Sequence, residues 1–307
     1  MIIPPTTQDG RNLDRRIADE HGEGATIDVR KPDVAWPLHT EPATGTDTAA
    51  TDTYYDLPVV KAAPWKWYVP AYFYAGGLGG AAATLALASR DKRESRRLHW
   101  IASIAEGAGA ALLIADLGKP MRFLNMMRVF RPTSPMNMGT WILSAASATG
   151  GLSLFVDNRA LFASSAVAGS MLSTYTGVLL GNTATPLWQR TRRVLPAFFA
   201  ASSAASLASL LEVLGTPRRR YSMLAKTADL VSAAATEHVG GPVLRDHKLW
   251  RRSKWLGIAS LAATALGRPR LAGVLGTVSA VMARFAIVDA GKASANDPRE
   301  TFDSQRR

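Results

Sequence analysis

A run of about 20 residues without charge is long enough to cross a bilayer as a helix, because a rise of about 1.5 Å per residue covers about 30 Å of hydrocarbon. Residues 67–88, WYVPAYFYAGGLGGAAATLALA, form such a run. Further runs rich in Ala, Gly, Leu and Ser follow to about residue 290, with charges clustered between them. The pattern predicts an all-α integral membrane protein, a bundle of about eight transmembrane helices. The expected helices cover residues 67–88, 99–117, 139–156, 161–181, 195–214, 221–238, 255–266 and 271–290. Two differ in kind. Residues 255–266 are short for a span and can borrow length from the snorkelling stems of Arg252 and Lys254. Residues 221–238 are amphipathic, with Lys226, Asp229, Ala233 and Glu237 on one stripe. That helix either lies at the interface or spans with the stripe turned into the bundle; the inward arrangement is the expectation.

Three regions follow. Residues 1–63 are polar and poor in large apolar side chains, so they cannot offset their ordering entropy and read as a mostly disordered N-terminal tail. Residues 64–291 form the transmembrane bundle, and residues 292–307 a polar C-terminal tail. Arg11, Arg15 and Arg16 are followed by no apolar core, so the tail does not read as a cleaved signal and is expected to be retained. Alternate loops carry about 11 and about 12 Lys and Arg, so the charge rule does not orient the chain.

The chain has no cysteine, which removes disulfides, thiolate-bound zinc and cysteine-ligated iron–sulfur clusters. Its net charge of +12 sits at the ends of the spans, in RDKRESRR (residues 90–97) and PRRR (217–220). Anionic lipid headgroups explain that placement; nucleic acid is not an expected partner, because a groove reader needs a soluble basic face. Only five histidines are present, and none forms a deep pair on facing spans, so no haem and no bound metal are expected. His99 opens a helix, where it reads as an interfacial polar residue or a hydrogen-bond partner for a bound ligand.

Ionic groups inside apolar runs need an explanation, since each costs roughly 2.5–3.5 kcal/mol at a span centre. They are Glu106, Asp116, Asp229 and Arg284. Asp116 lies about 80° round and about 15 Å along the helix from Glu106. Each carboxylate either pairs with a cation, Arg284 or a hairpin arginine, and locks the bundle, or carries protons; in both cases these groups should face protein. The aromatics Trp65, Trp67, Tyr68, Tyr72, Phe73 and Tyr74 crowd the first span. They read as an interfacial belt or as one wall of a pocket for a flat ring. Gly76 and Gly80, at GxxxG spacing, read as a close helix contact. Residues 112–141 then interrupt the apolar pattern with Asp116, Gly118, Lys119, Arg122, Arg128 and Arg131. Pro120, Pro132 and Pro135 are expected to end helices and stiffen this turn.

Three stretches carry a resemblance: IADLGKPMRFLNMMRVFRPTSPMNMGTW (114–141), YTGVLLGNTATPLW (175–188) and RFAIVDAGKASANDPRETF (284–302). In this order they resemble the hairpin, middle and closing motifs of the NrfD, or polysulfide-reductase membrane-subunit, family. The resemblance implies a multi-pass subunit in a bacterial plasma (inner) membrane. Such a subunit exchanges electrons with menaquinone or ubiquinone and holds no haem. It also implies a four-cluster ferredoxin-type iron–sulfur partner and a molybdopterin or tungsten catalytic subunit. By resemblance the quinone pocket draws on Tyr68, Tyr72, His99, Arg122, Asn125 and Tyr175. Glu106, Asp116 and Arg284 are expected as the buried proton or charge cluster, the nearest thing to catalytic residues. A proton-translocating or transport module, or a purely structural anchor, are the alternatives.

Overall fold

The computed structural model describes residues 60–297 together with Glu300 and Thr301. Nearly all of the expected N-terminal tail therefore lies outside the described residues. The described residues form helices and no strand. In chain order they are α1 (Tyr68–Ala88), α2 (Lys92–Leu117), α3 (Pro120–Met127), α4 (Pro135–Leu152), α5 (Arg159–Gly181), α6 (Pro186–Arg190), α7 (Leu195–Val213), α8 (Arg219–Gly240), α9 (Pro242–Arg245), α10 (Lys248–Ala265) and α11 (Pro269–Asn296).

Eight of these helices have 18 or more residues. Four of them, α1, α2, α7 and α11, are both long and apolar enough to cross a membrane. The other long helices carry hydroxyls, glycines or charges in place of aliphatic side chains. In α8, Arg219, Arg220, Lys226, Asp229 and Glu237 lower the hydropathy. Much of that polarity is turned toward neighbouring helices. Lys226 meets Glu212, Asp229 reaches Ser202, and Glu237 accepts from Trp250 and Lys254. The stripe on α8 thus faces protein, as its spacing predicts.

Local chemistry sets the boundaries. Asp91 caps α2 by accepting from the Arg93 N–H at 3.1 Å, and Asn158 caps α5 through the Ala160 N–H at 2.8 Å. The capped basic segment 92–98 is helical, so α2 starts well before His99. Gly118 ends α2 at φ 70°, a conformation that costs glycine little. Pro120 and Pro135 each open a helix; they were expected to end one. At a helix start the missing N–H has no partner to lose and φ is already set. α10 gains its length on the charged side, from Lys248. α11 continues to Asn296, beyond the boundary expected at 291, because the small residues Gly291, Ser294 and Ala295 pack inward.

Consecutive long helices run back and forth, giving the bundle two ends. At one, the basic-loop end, Ser95 donates to Ala86 O at 3.0 Å, and Arg218 donates to Ser89 and pairs with Glu94. At the other, the hairpin end, Trp65 stacks on Trp188 with centroids 5.2 Å apart. The core between them is aromatic and aliphatic, with Phe73, Phe198, Phe199, Trp188, Trp250, Leu143 and Leu172 buried. The expected aromatic belt divides: Trp67 is 57% exposed, while Tyr72 and Phe73 belong to the core. Gly80 on α1 crosses Gly169 on α5 so closely that a methyl group on either would strike the other's backbone carbonyl.

Candidate functional site

The charged segment between α2 and α4 folds over the hairpin end. Asn137, buried in the first turn of α4, clamps it. Its amide donates to Met126 O at 2.6 Å and Val129 O at 2.9 Å, and its oxygen accepts from Arg131 N at 2.7 Å. Thr140 and Ser144 point their hydroxyls at the sulfurs of Met126 and Met127, at 3.5 and 3.4 Å. The helix α3 so held has no buried residue. Met121, Leu124 and Phe130 are more than half exposed beside the exposed Arg122 and Asn125. Arg122 donates to Leu117 O at 3.1 Å, folding its guanidinium back over the end of α2.

Two side chains tie this hairpin to the remote motifs. Tyr175, on α5, donates to the Pro135 carbonyl and lies against Gly139. Trp188, on α6, donates from Nε1 to Ile287 O at 3.0 Å, and its ring lies flat against Gly291, where any side chain would overlap it. Around Trp188, the Leu187 N–H donates to Ser294 Oγ at 3.3 Å, and Arg190 pairs with Glu300 at 2.8 Å. Lys292 reaches back to the carbonyl of Trp65, whose ring covers Trp188. The first span, the hairpin, the middle motif and the closing motif therefore meet at one end of the bundle.

Inside the bundle the ionic groups occupy separate places. Arg284 is fully buried; Nη1 donates to Ser202 Oγ at 2.6 Å and Nη2 to Ser203 Oγ at 3.3 Å. Its guanidinium stands 4.7 Å from the centroid of Phe199 and 5.9 Å from that of Phe198. Asp229 approaches the same Ser202 and interacts electrostatically with Arg284. Glu106 is fully buried against Gly79 and Gly150, and neither carboxylate oxygen has a hydrogen-bond partner among the described residues. Glu212 and Lys226 form a buried pair at 2.5 Å.

The expected site residues fall into three groups. Tyr72 and Tyr175 come together: both are buried, and their hydroxyls interact electrostatically. Tyr68, with its ring 4.2 Å from that of Trp67, and Arg122 and Asn125 share their end of the bundle. His99 does not. It lies in the second turn of α2 at the basic-loop end, about 25 Å along the helix from Asp116. One ring cannot touch both His99 and Arg122. Glu106, Asp116 and Arg284 do not form one cluster either. Arg284 finds Asp229 and serines, Glu106 stands alone, and Asp116 is half-buried near the C-terminus of α2.

Sequence reading did not single out Glu212, Ser202, Trp188 or Asn137. For Glu212 a signal exists: an acid in the last turn of an apolar helix, followed by a lysine about two turns into the amphipathic helix behind it. Asn137 and Trp188 matter through partners more than five residues away, which spacing does not disclose.

The fold and its buried polar groups define a helical membrane bundle with a polar hairpin at one end. Its family is established: residues 51–239, well over half the chain, match the polysulfide reductase family model of the NrfD type, and the chain belongs to that family. It is a multi-pass membrane protein of the class that serves as membrane subunits of oxidoreductase complexes. The match ends before the closing motif, whose contacts with Trp188 come from the structure alone. No curated protein matches the chain significantly.

Proposed function

We propose that this chain exchanges electrons between a membrane quinone and an iron–sulfur partner, and that both meet it at the hairpin end. The observation that carries the reading is the convergence of four remote segments there, on the Tyr175–Pro135 and Trp188–Gly291 contacts. The donor set fits a quinone ring. The Tyr72 hydroxyl, the Arg122 guanidinium and the Asn125 amide supply hydrogen bonds to its carbonyl oxygens, and Phe73 and Leu143 supply apolar walls. Neither cavity described for this chain is lined by these residues. Entry of the ring would lift α3 against the Asn137 clamp on Met126, and α3 has no buried residue to add to that hold.

Quinol oxidation releases two electrons and two protons. The electrons pass to the clusters of a four-cluster ferredoxin-type subunit, and from there to a molybdopterin or tungsten subunit. Arg122 at the ring stabilises the negative charge that develops on its oxygen. The substrate is menaquinone or ubiquinone, and the membrane is the bacterial inner membrane. The exposed Met121, Leu124 and Phe130 with Arg122, Arg128 and Arg131 form the docking face. The test is quinol oxidation by the chain reconstituted with its iron–sulfur partner. Arg122→Ala and Tyr72→Phe should each slow turnover; unchanged turnover in both removes the pocket.

A second reading has its own observation. Glu106 is a buried carboxylate without a partner among the described residues, as a proton carrier would be. Glu106→Gln and Asp116→Asn separate the two readings. Loss of proton translocation with intact quinol oxidation favours coupling, and loss of both favours a role in the pocket.

A further inference from the structure

A cleft of about 650 Å³ opens at the basic-loop end, opposite the hairpin. Arg90, Lys92, Arg96, Arg159 and Asp157 surround it, and His99 lies in its wall. Lys92 and Asp157 neutralise one another at 3.4 Å. The three arginines have no ion-pair partner among the described residues, so the cleft is cationic.

His99 makes this more than a basic surface. It is 1% exposed, its ring packs on Phe162 at 4.5 Å, and Nε2 has no hydrogen-bond partner among the described residues. Nδ1 lies 2.9 Å from the carbonyl of Ser95, which can only accept, so Nδ1 carries the proton. In the neutral ring Nε2 is then an acceptor awaiting a donor. A ligand that satisfies the cleft brings an anion for the arginines and a hydroxyl for His99.

A groove of about 300 Å³, lined by Ala81, Leu85, Ala88, Ser170 and Tyr221 among others, adjoins the cleft, and Ala88 lines both. Its walls are mainly apolar and belong to α1, α5 and α7, with Tyr221 from the start of α8. An anionic head next to a hydrocarbon-lined channel is the outline of a phospholipid.

We propose that this cleft binds an anionic glycerophospholipid with a hydroxylated headgroup, its phosphodiester among Arg90, Arg96 and Arg159, its hydroxyl on His99 Nε2 and an acyl chain along the groove. Free phosphate shares the anionic chemistry but leaves the groove and His99 unused. The site is independent of the quinone reading and lies at the other end of the bundle.

The test uses the full chain in mild detergent, with retained lipid measured by native mass spectrometry. The probes are phosphatidylglycerol, phosphatidylcholine and inorganic phosphate. The wild type should retain phosphatidylglycerol over phosphatidylcholine, and inorganic phosphate should not displace it. Arg96→Gln with Arg159→Gln should lower phosphatidylglycerol retention about fivefold per arginine, with helix content unchanged by circular dichroism because both side chains are exposed. His99→Leu should narrow the preference for phosphatidylglycerol over phosphatidylcholine, whose headgroup has no hydroxyl. Arg192→Gln with Arg193→Gln, exposed at the hairpin end, should leave retention intact. Equal retention of the two probe lipids, displacement by phosphate, or an equal loss in the hairpin-end variant would overturn the proposal.

Discussion

The buried pair of Glu212 and Lys226 gives a quantitative test of the packing. The side chains are 0% and 4% exposed, and Nζ stands 2.5 Å from Oε2. Thr264 closes a ring: it accepts from Lys226 at 2.9 Å and donates to Glu212 Oε1 at 2.8 Å. The third ammonium hydrogen points to Ala272 O at 3.5 Å. Four helices, α7, α8, α10 and α11, therefore meet on one charge pair. Lys226→Met leaves a carboxylate buried with a single hydroxyl for company, and should cost about 3–5 kcal/mol. Glu212→Leu strands the ammonium and should cost a similar amount. The double variant removes both charges and should be less destabilised than either single one, with a coupling of about 2 kcal/mol or more. Equilibrium unfolding in mixed micelles measures all three. Additive losses below about 1 kcal/mol each would refute the reasoning, since they would mean that water reaches the pair.

Asn137→Ala removes three hydrogen bonds to the hairpin and should cost about 1–3 kcal/mol; limited proteolysis between α2 and α4 should accelerate while total helix content holds. Gly291→Val drives a side chain into Trp188 and should cost about 1–3 kcal/mol in unfolding measurements. Gly107→Ala, where nothing lies within 4 Å, should be neutral or stabilise by up to about 1 kcal/mol. Glu106→Gln breaks no ion pair among the described residues, so stability should hold within about 1 kcal/mol; a loss above about 2 kcal/mol in the same unfolding assay would reveal an overlooked cation.

Much of the architecture was legible because lipid imposes so few solutions. The runs at 161–181 and 195–214 became α5 and α7 with ends shifted by two residues or fewer. The inward stripe of α8 was readable from spacing, because charges at i, i+3 and i+11, with Ala233 at i+7, have one face to share. Helix starts were less legible: α2 and α10 extend into basic segments that hydropathy alone assigns to loops. The hairpin's prolines were seen, but their direction of action was not, since proline serves a helix start as readily as a stop. For the site, grouping His99 with Tyr72 ignored the reversal between α1 and α2, which puts residues near the starts of successive helices at opposite ends. Pairing among buried charges depended on helix rotation, and Arg284 chose Asp229 over Glu106 for that reason.

The crossing of Gly80 and Gly169 has a mechanical consequence. With two backbones touching there, and with Ser173 donating to Gly77 O at 3.1 Å and Thr84 to Ala166 O at 3.4 Å on either side, α1 and α5 have no gap through which to slide. They can pivot about that point like scissor blades about a rivet. A change in their angle would therefore carry no lengthwise slide, and its amplitude would grow with distance from the rivet.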